Sequence, residues 1–360
     1  MDDAQASHER GARGVRLADL LGRSRRVALV GLAKNTGKTE TLAALLRELD
    51  AAGTRVGVTS IGRDGEARDV LDARIAKPRV RLAAGSLVAT TGAMLRASGL
   101  AHERLLETGM RTPVGEVLVA RVEQAGALEV AGPSAASEVR GVSEAMAEHG
   151  AERVLIDGAI DRRAASSPDV SDGLVMATGA ILHEEIENVV AQTFDAVELV
   201  RLPLAGDVGD LGDDDTQGES AGRTFVELGR GVVLRADPTE IATLLAAHTR
   251  ARTLVVEGAL GERFLEGLLA ARRERAGREL RLVVQDPTKV FLSRHGPGWY
   301  RRQGLSIETR RPIELRAVTV NPLAPQSHSF DSAELRERLR AALGEVPVLD
   351  VLDPDYCALA

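Results

Sequence analysis

VALVGLAKNTGKTE, residues 27–40, carries the most information in this 360-residue chain. A hydrophobic run, Val27 to Val30, reaches Gly31 and then a polar loop ending Gly37-Lys38-Thr39. Beyond it Leu42, Leu45, Leu46 and Leu49 fall at i, i+3, i+4 and i+7, which is one face of a helix that stops at Gly53. A strand that enters a glycine-bounded loop and then a helix has the parts of a phosphate cradle. Loop N–H groups and the helix N-terminus face an anion, Lys38 reaches the β- and γ-phosphates, and the Thr39 hydroxyl ligates Mg²⁺. Gly31, Lys34, Asn35, Thr36, Gly37, Lys38, Thr39 and Glu40 are therefore the candidate nucleotide-binding residues. The spacing is one residue longer than the standard G-x-x-x-x-G-K-[ST], with five residues between Gly31 and Gly37.

Strands and helices alternate outward from this loop. Strands are expected at 26–32, 55–61, 153–156, 173–177 and 196–200, with helices at 135–149 and 184–194. Such alternation predicts an α/β, doubly wound, mostly parallel sheet. The stretch 79–131 is strand-rich, with a short helix expected near 101–108, and reads as an antiparallel edge or insertion. Residues 206–222 carry six acids, five glycines and no base, the composition of a solvated linker. The pattern then restarts with strands at 231–234, 254–256, 280–284 and 316–320 and helices at 238–248, 262–273 and 332–343. The expected organisation is an N-terminal segment 1–25, a nucleotide-binding domain 26–205, the linker 206–222 and a second α/β domain 223–360.

A phosphate loop that uses magnesium needs carboxylates. Asp157 closes the apolar run Val154-Leu155-Ile156 and is the first candidate, with Asp161 four residues on. The loop after the second expected strand, TSIGRDGE (59–66), adds Asp64 and Glu66. Loops at strand carboxyl ends meet at the ligand crevice of a doubly wound sheet, which favours this pair. The candidate catalytic residues are Lys38, Asp157 and Asp64, and the candidate Mg²⁺ ligands are Thr39, Asp157, Asp64 and Glu66. Lys77-Pro78 and Thr90-Thr91-Gly92 are weaker candidates for the same crevice. In the second domain Gln285-Asp286-Pro287-Thr288-Lys289 and Asn321-Pro322 read either as a second polar cleft or as ordinary strand-end turns.

Composition narrows the class. The net charge of −7 argues against nucleic-acid coating and basic membrane-surface roles. The single Cys357 excludes an internal disulfide framework and thiolate metal clusters. No run reaches the ~20 apolar residues of a membrane span, and the N-terminus is not a signal peptide, so a cytoplasmic location is expected. No Asn-Lys-x-Asp string is present, which disfavours guanine recognition.

The lengthened loop is similar to that of dethiobiotin synthetases and MinD-like ATPases. Together GLAKNTGKTETL, TSIGRDGE, LIDGAIDRRAASSP and ATGAI resemble the P-loop reactivase subunit of the adenosylcobalamin-dependent lysine 5,6-aminomutase system. The likeness is closest over 26–200 and looser through QDPTKVF and VNPLAP. It implies ATP and Mg²⁺ as cofactors and an ATP-hydrolysing accessory role in recovering an inactivated aminomutase. The implied partners are lysine 5,6-aminomutase and a second, MutS-like reactivase subunit. Gly31, Gly37, Lys38 and Thr39 match the nucleotide loop of that family, and Asp64, Glu66, Asp157 and Asp161 its acidic segments. The alternatives are an ATP-dependent ligase of the dethiobiotin-synthetase type and a non-catalytic ATP-sensing subunit.

Overall fold

The computed structural model describes residues 15–61, 79–159, 165–206, 224–228, 232–236, 253–256, 258–273, 279–325 and 327–357. These form two compact units, one drawn from 1–193 and 314–360, the other from 194–313. In the first stretch α1 (Leu17–Leu20), β1 (Arg26–Gly31), α2 (Lys38–Ala51), β2 (Val56–Ser60), β3 (Val80–Leu82) and β4 (Leu87–Thr91) follow in order. After these come α3 (Gly92–Ser98), β5 (His102–Thr112), β6 (Gly115–Val122), β7 (Gly126–Leu128), α4 (Ala136–Glu148), β8 (Arg153–Ala159), β9 (Gly173–Gly179) and α5 (Ile186–Val200). The second unit contains β10 (Thr224–Leu228), β11 (Val232–Ala236), β12 (Thr253–Val256), β13 (Leu260–Gly261), α6 (Glu262–Arg273) and β14 (Leu280–Val284). It ends with β15 (Val290–Phe291), α7 (Pro297–Arg302) and β16 (Leu305–Thr309). The chain then returns to the first unit with β17 (Leu315–Asn321), α8 (Ser332–Leu343), β18 (Val348–Leu349) and α9 (Pro354–Cys357).

The first unit is built on a nine-stranded sheet ordered β18-β17-β9-β1-β8-β2-β4-β6-β5. Every pairing from β18 to β4 is parallel, while β4–β6 and β6–β5 are antiparallel. An α/β architecture with a large, mostly parallel central sheet is therefore established, with the antiparallel edge expected within 79–131. β1, β8 and β9 lie at the centre of the sheet. Val27 to Leu29, Leu155, Ile156, Leu174 and Val175 are at most 1% exposed, as strands covered on both faces require. On α2, Leu42, Leu45, Leu46 and Leu49 are all buried, so the periodic stripe forms the face of the helix in the core. The expected N-terminal segment joins this core through Leu17 and Leu21, both fully buried.

Near the chain ends one buried polar knot ties three helices together. Glu48 of α2 accepts the Ala18 N–H at 2.8 Å and the Tyr356 hydroxyl of α9, and that hydroxyl accepts the Leu17 N–H at 2.9 Å.

The second unit has a five-stranded sheet ordered β11-β10-β12-β14-β16. β12, β14 and β16 run parallel, and β10 pairs antiparallel with both β11 and β12. Leu254, Leu265, Leu282, Tyr300 and Leu305 form its core.

Several expectations are corrected. Residues 314–360 do not belong to a C-terminal domain beginning at 223, because β17 pairs with β9 over Leu315–Asn321 and carries β18 on its other side. The helix expected at 101–108 is β5, whose side chains are half-buried at every third position from His102 to Thr108 and at alternate positions from there to Thr112. The helix lies just before it, at α3, capped by Thr91, whose hydroxyl accepts the Met94 N–H, and closed by left-handed Gly99. The strand expected at 196–200 continues α5. Val189, Thr193 and Val197 are buried at four-residue intervals, a helical period rather than an alternating one. Asp64, Glu66, Lys77, Asp161, the helix expected at 238–248 and all of the linker except Gly206 lie outside the described residues.

Candidate functional site

β1 ends at Gly31, where backbone packing leaves no room for a side chain. A Cβ there would stand 2.5 Å from the Thr36 hydroxyl oxygen. That hydroxyl is turned inward and donates to the Ala33 carbonyl at 3.0 Å, which closes the loop on itself. The loop also contains two residues in the left-handed region, Asn35 at φ 65° and Gly37 at φ 84°. Asparagine tolerates this conformation and glycine adopts it without steric cost. Gly37 is the N-cap of α2, and its carbonyl accepts both the Thr41 N–H at 2.9 Å and the Thr41 hydroxyl at 3.0 Å. The first-turn N–H groups at 38–40 have no acceptor within the helix, so the turn presents donors and a positive dipole end.

Lys38 opens this helix and reaches across to β8. Its Nζ stands 2.8 Å from Asp157 Oδ1 and donates to the Gly158 carbonyl at 2.7 Å. Asp157 is placed by parallel pairing on both sides, opposite Leu29 of β1 and Ser60 of β2. Its Oδ1 atom is buried and faces the Lys38 ammonium. The ammonium carries three N–H groups, so it can serve the carboxylate and the neighbouring carbonyl together. Both side chains keep some exposure, 24% for Lys38 and 33% for Asp157, so the pair is open to a ligand. Thr39 is half-buried, and among the described residues its hydroxyl makes no hydrogen bond. Lys34, Asn35 and Glu40 are exposed.

The other side of the loop rests on β17. The Asn321 side-chain amide donates to the Asn35 carbonyl at 2.9 Å, and its Oδ1 accepts the Leu323 N–H at 3.0 Å. A Cβ on Gly37 would stand 3.0 Å from the Asn321 Cβ, and one on Gly179 would stand 2.2 Å from the Asn321 carbonyl oxygen. Two residues earlier on β17, the Thr319 hydroxyl shares a buried 2.7 Å hydrogen bond with that of Thr41 on α2. Asn321 therefore supports the loop. The sequence left Asn321-Pro322 open between a polar cleft with Gln285–Lys289 and a strand-end turn; Asn321 belongs to the first unit and Gln285–Lys289 to the second. An Asn-Pro pair closing a strand was the available signal, but nothing local says which sheet the strand joins.

Other candidates have internal work. Thr90 accepts the Ala131 N–H at 2.9 Å and Thr91 caps α3, and both side chains are fully buried, so both work inside the fold. Asp286 is buried and accepts both the N–H and the hydroxyl of Thr288, the turn reading of that segment.

No protein-family model, curated protein or solved structure matches the chain. Among the described residues no helix is long and apolar enough to cross a membrane. No group of three or more His, Cys, Asp and Glu among them could hold a metal ion. Among the described residues, the β1–α2 site thus offers the Lys38 ammonium paired with the Asp157 carboxylate, the half-buried Thr39 hydroxyl, a set of backbone N–H donors, and Lys34 and Glu40 exposed at its edge.

Proposed function

We propose that the first unit is a doubly wound P-loop domain that binds Mg·ATP at residues 31–40. The observation that carries this reading is the meeting of Lys38, at the start of α2, with Asp157, near the carboxyl end of the adjacent strand β8. In it, Lys38 releases Asp157 and moves its charge to the β- and γ-phosphates, while the loop and first-turn N–H groups hold their oxygens. Once Lys38 has moved to the phosphates, the Asp157 carboxylate and the Thr39 hydroxyl fit Mg²⁺, which accepts one or two protein oxygens and takes the rest from phosphate and water. When bound, the ion neutralises charge on the phosphates. Asp64 and Glu66 complete the acid set in this reading.

The likeness of GLAKNTGKTETL, TSIGRDGE, LIDGAIDRRAASSP and ATGAI to the reactivase family extends the proposal. ATP turnover here serves an accessory role in recovering a cobalamin-dependent lysine 5,6-aminomutase, together with a MutS-like second subunit. Calorimetry with Mg·ATP tests the nucleotide reading. Lys38→Ala should lose ~2–4 kcal/mol of binding, the loss of a charge-assisted phosphate contact. Equal affinity in both proteins removes it. The accessory role is tested by mixing cobalamin-inactivated aminomutase with both subunits, adenosylcobalamin and ATP. Recovery that is the same without this chain overturns it. ATP consumption that depends instead on a small carboxyl- or amino-bearing metabolite points to the ligase alternative.

A further inference from the structure

We propose that a cavity of about 940 Å³ at the amino ends of β1, β2, β8 and β9 binds a small polyanion carrying phosphate or carboxylate groups. It lies at the far end of the sheet from Lys38. β1 alone separates the two, running from Arg26 at the cavity to Gly31 at the loop, about 16 Å at ~3.3 Å per residue. The volume falls in the usual range for small-molecule sites, about 300–1,000 Å³.

The argument is one of charge. Five arginines line the cavity, at 23, 25, 26, 55 and 153, against three acids, Glu144, Glu152 and Asp172. Each acid already has a cation. Glu152 is 3.3 Å from Arg55, Asp172 is 3.9 Å from Arg26 and accepts its N–H at 3.0 Å, and Glu144 is 3.2 Å from Arg140. Arg153 is held by the carbonyls of Gly22, at 2.8 Å, and Ser24, and its charge also acts on the Glu152 carboxylate that Arg55 pairs directly. Arg23 and Arg25 make neither an ion pair nor a side-chain hydrogen bond among the described residues. Beyond these pairs, Arg23, Arg25 and Arg153 leave the lining with an excess of positive charge, five arginines against three acids.

The frame beneath them is rigid. Ser24, between Arg23 and Arg25, is 2% exposed. Its hydroxyl donates to the Asp172 carbonyl at 3.0 Å and accepts the Arg316 Nε–H at 2.9 Å. The two exposed arginines therefore stem from an anchored backbone, and Arg153 is already oriented, which lowers the ordering cost of binding. Guanidinium forks match carboxylate and phosphate oxygens two at a time, and a cleft of one sign concentrates the counter-charge.

The test uses the full chain carrying Lys38→Ala, so that the 31–40 loop contributes as little as possible to anion binding, titrated with citrate and with inorganic tripolyphosphate at about 150 mM salt. At least one probe should bind at a single site, and which one does so identifies carboxylate or phosphate as the preferred group. Adding Arg23→Ala and Arg25→Ala should weaken that binding tenfold or more and flatten its salt dependence. The thermal midpoint should stay unchanged, because both side chains are exposed and have no partner among the described residues. A smaller loss, or no saturable binding of either probe, overturns the proposal. Neither outcome touches the nucleotide reading, whose test is the effect of Lys38→Ala on Mg·ATP binding.

Discussion

Lys38 Nζ lies 2.8 Å from Asp157 Oδ1, joining the first residue of α2 to β8 across a parallel pair of strands. The same ammonium donates to the Gly158 carbonyl, so it already rests on one full and one partial negative charge. A phosphate would offer it a stronger partner and leave the carboxylate free to meet a cation.

Asp157→Asn separates these roles. The pair is a quarter to a third exposed, so its loss should change folding stability by less than about 1 kcal/mol. Magnesium-dependent ATP turnover should fall at least about tenfold, equivalent to ~1.4 kcal/mol in the barrier. Nucleotide binding should change less, because Lys38 and the loop donors remain. Unchanged turnover at saturating magnesium would move the metal-holding role to another acid.

Gly37→Ala should destabilise the first unit by about 1–2 kcal/mol, the cost of a left-handed backbone for an L-residue. The new methyl would also press on Asn321, only 3.0 Å away. Asn35→Gly keeps the left-handed conformation at φ 65° and should be tolerated far better. Urea denaturation of the three proteins decides the matter. Equal midpoints for Gly37→Ala and wild type would mean that the loop relaxes around the methyl.

The Tyr356–Glu48 contact gives a pH signature at the alkaline end. Burial, then its hydrogen bond to Glu48, pushes the Tyr356 phenol above its usual range, against a smaller pull from the Leu17 N–H. The folded protein thus favours the neutral phenol. Its contribution to stability is fully present below the ordinary phenol pKa of about 10 and is lost as pH rises toward the raised folded value. Tyr356→Phe should cost about 1–3 kcal/mol at neutral pH by leaving buried Glu48 without its hydroxyl donor. The gap between the two proteins should shrink above pH ~10. A gap that stays constant to the highest accessible pH would mean that the phenol does not resist ionisation.

A fragment of residues 1–205 should not retain a stable first unit. It lacks β17, and with it Val318 and Val320, which are at most 3% exposed, and it lacks Leu335 and Leu339 of α8. It also uncovers the β9 edge, where every residue from Gly173 to Gly179 is buried in the full chain. Chemical denaturation should show a lowered or absent cooperative transition. A fragment as stable as the parent would mean that β17 is dispensable to the sheet.

Much of the first unit was legible because its signals are local. The strand Arg26–Gly31, the helix from Lys38, the strand ending near Asp157 and the helix Ser332–Leu343 all follow from periodicity, caps and glycines within a few residues. What was not legible is pairing across distance. The run 316–320 reads as a strand, but its alternation says nothing of β9, whose contact with it spans more than the whole second unit. Asn321 was missed as the loop's support for the same reason. β5 was misread because this edge strand has no fully buried face, and its half-buried positions His102, Leu105 and Thr108 recur at a spacing close to one helical turn.

The return of the chain to β17 also sets a clock. The ribosome completes β9 and then makes the whole second unit before the strand that covers the β9 edge emerges. At about 5–20 residues per second this delay is on the order of 10 s, long against the closing of local helices and hairpins. During that interval β1, β8 and β9 can assemble with one flank of their sheet open, and the Asn35 carbonyl still lacks the amide of Asn321. The 31–40 loop therefore reaches its finished form only after residue 321 has been made. A nascent chain stalled before residue 315 would expose this apolar edge to other chains.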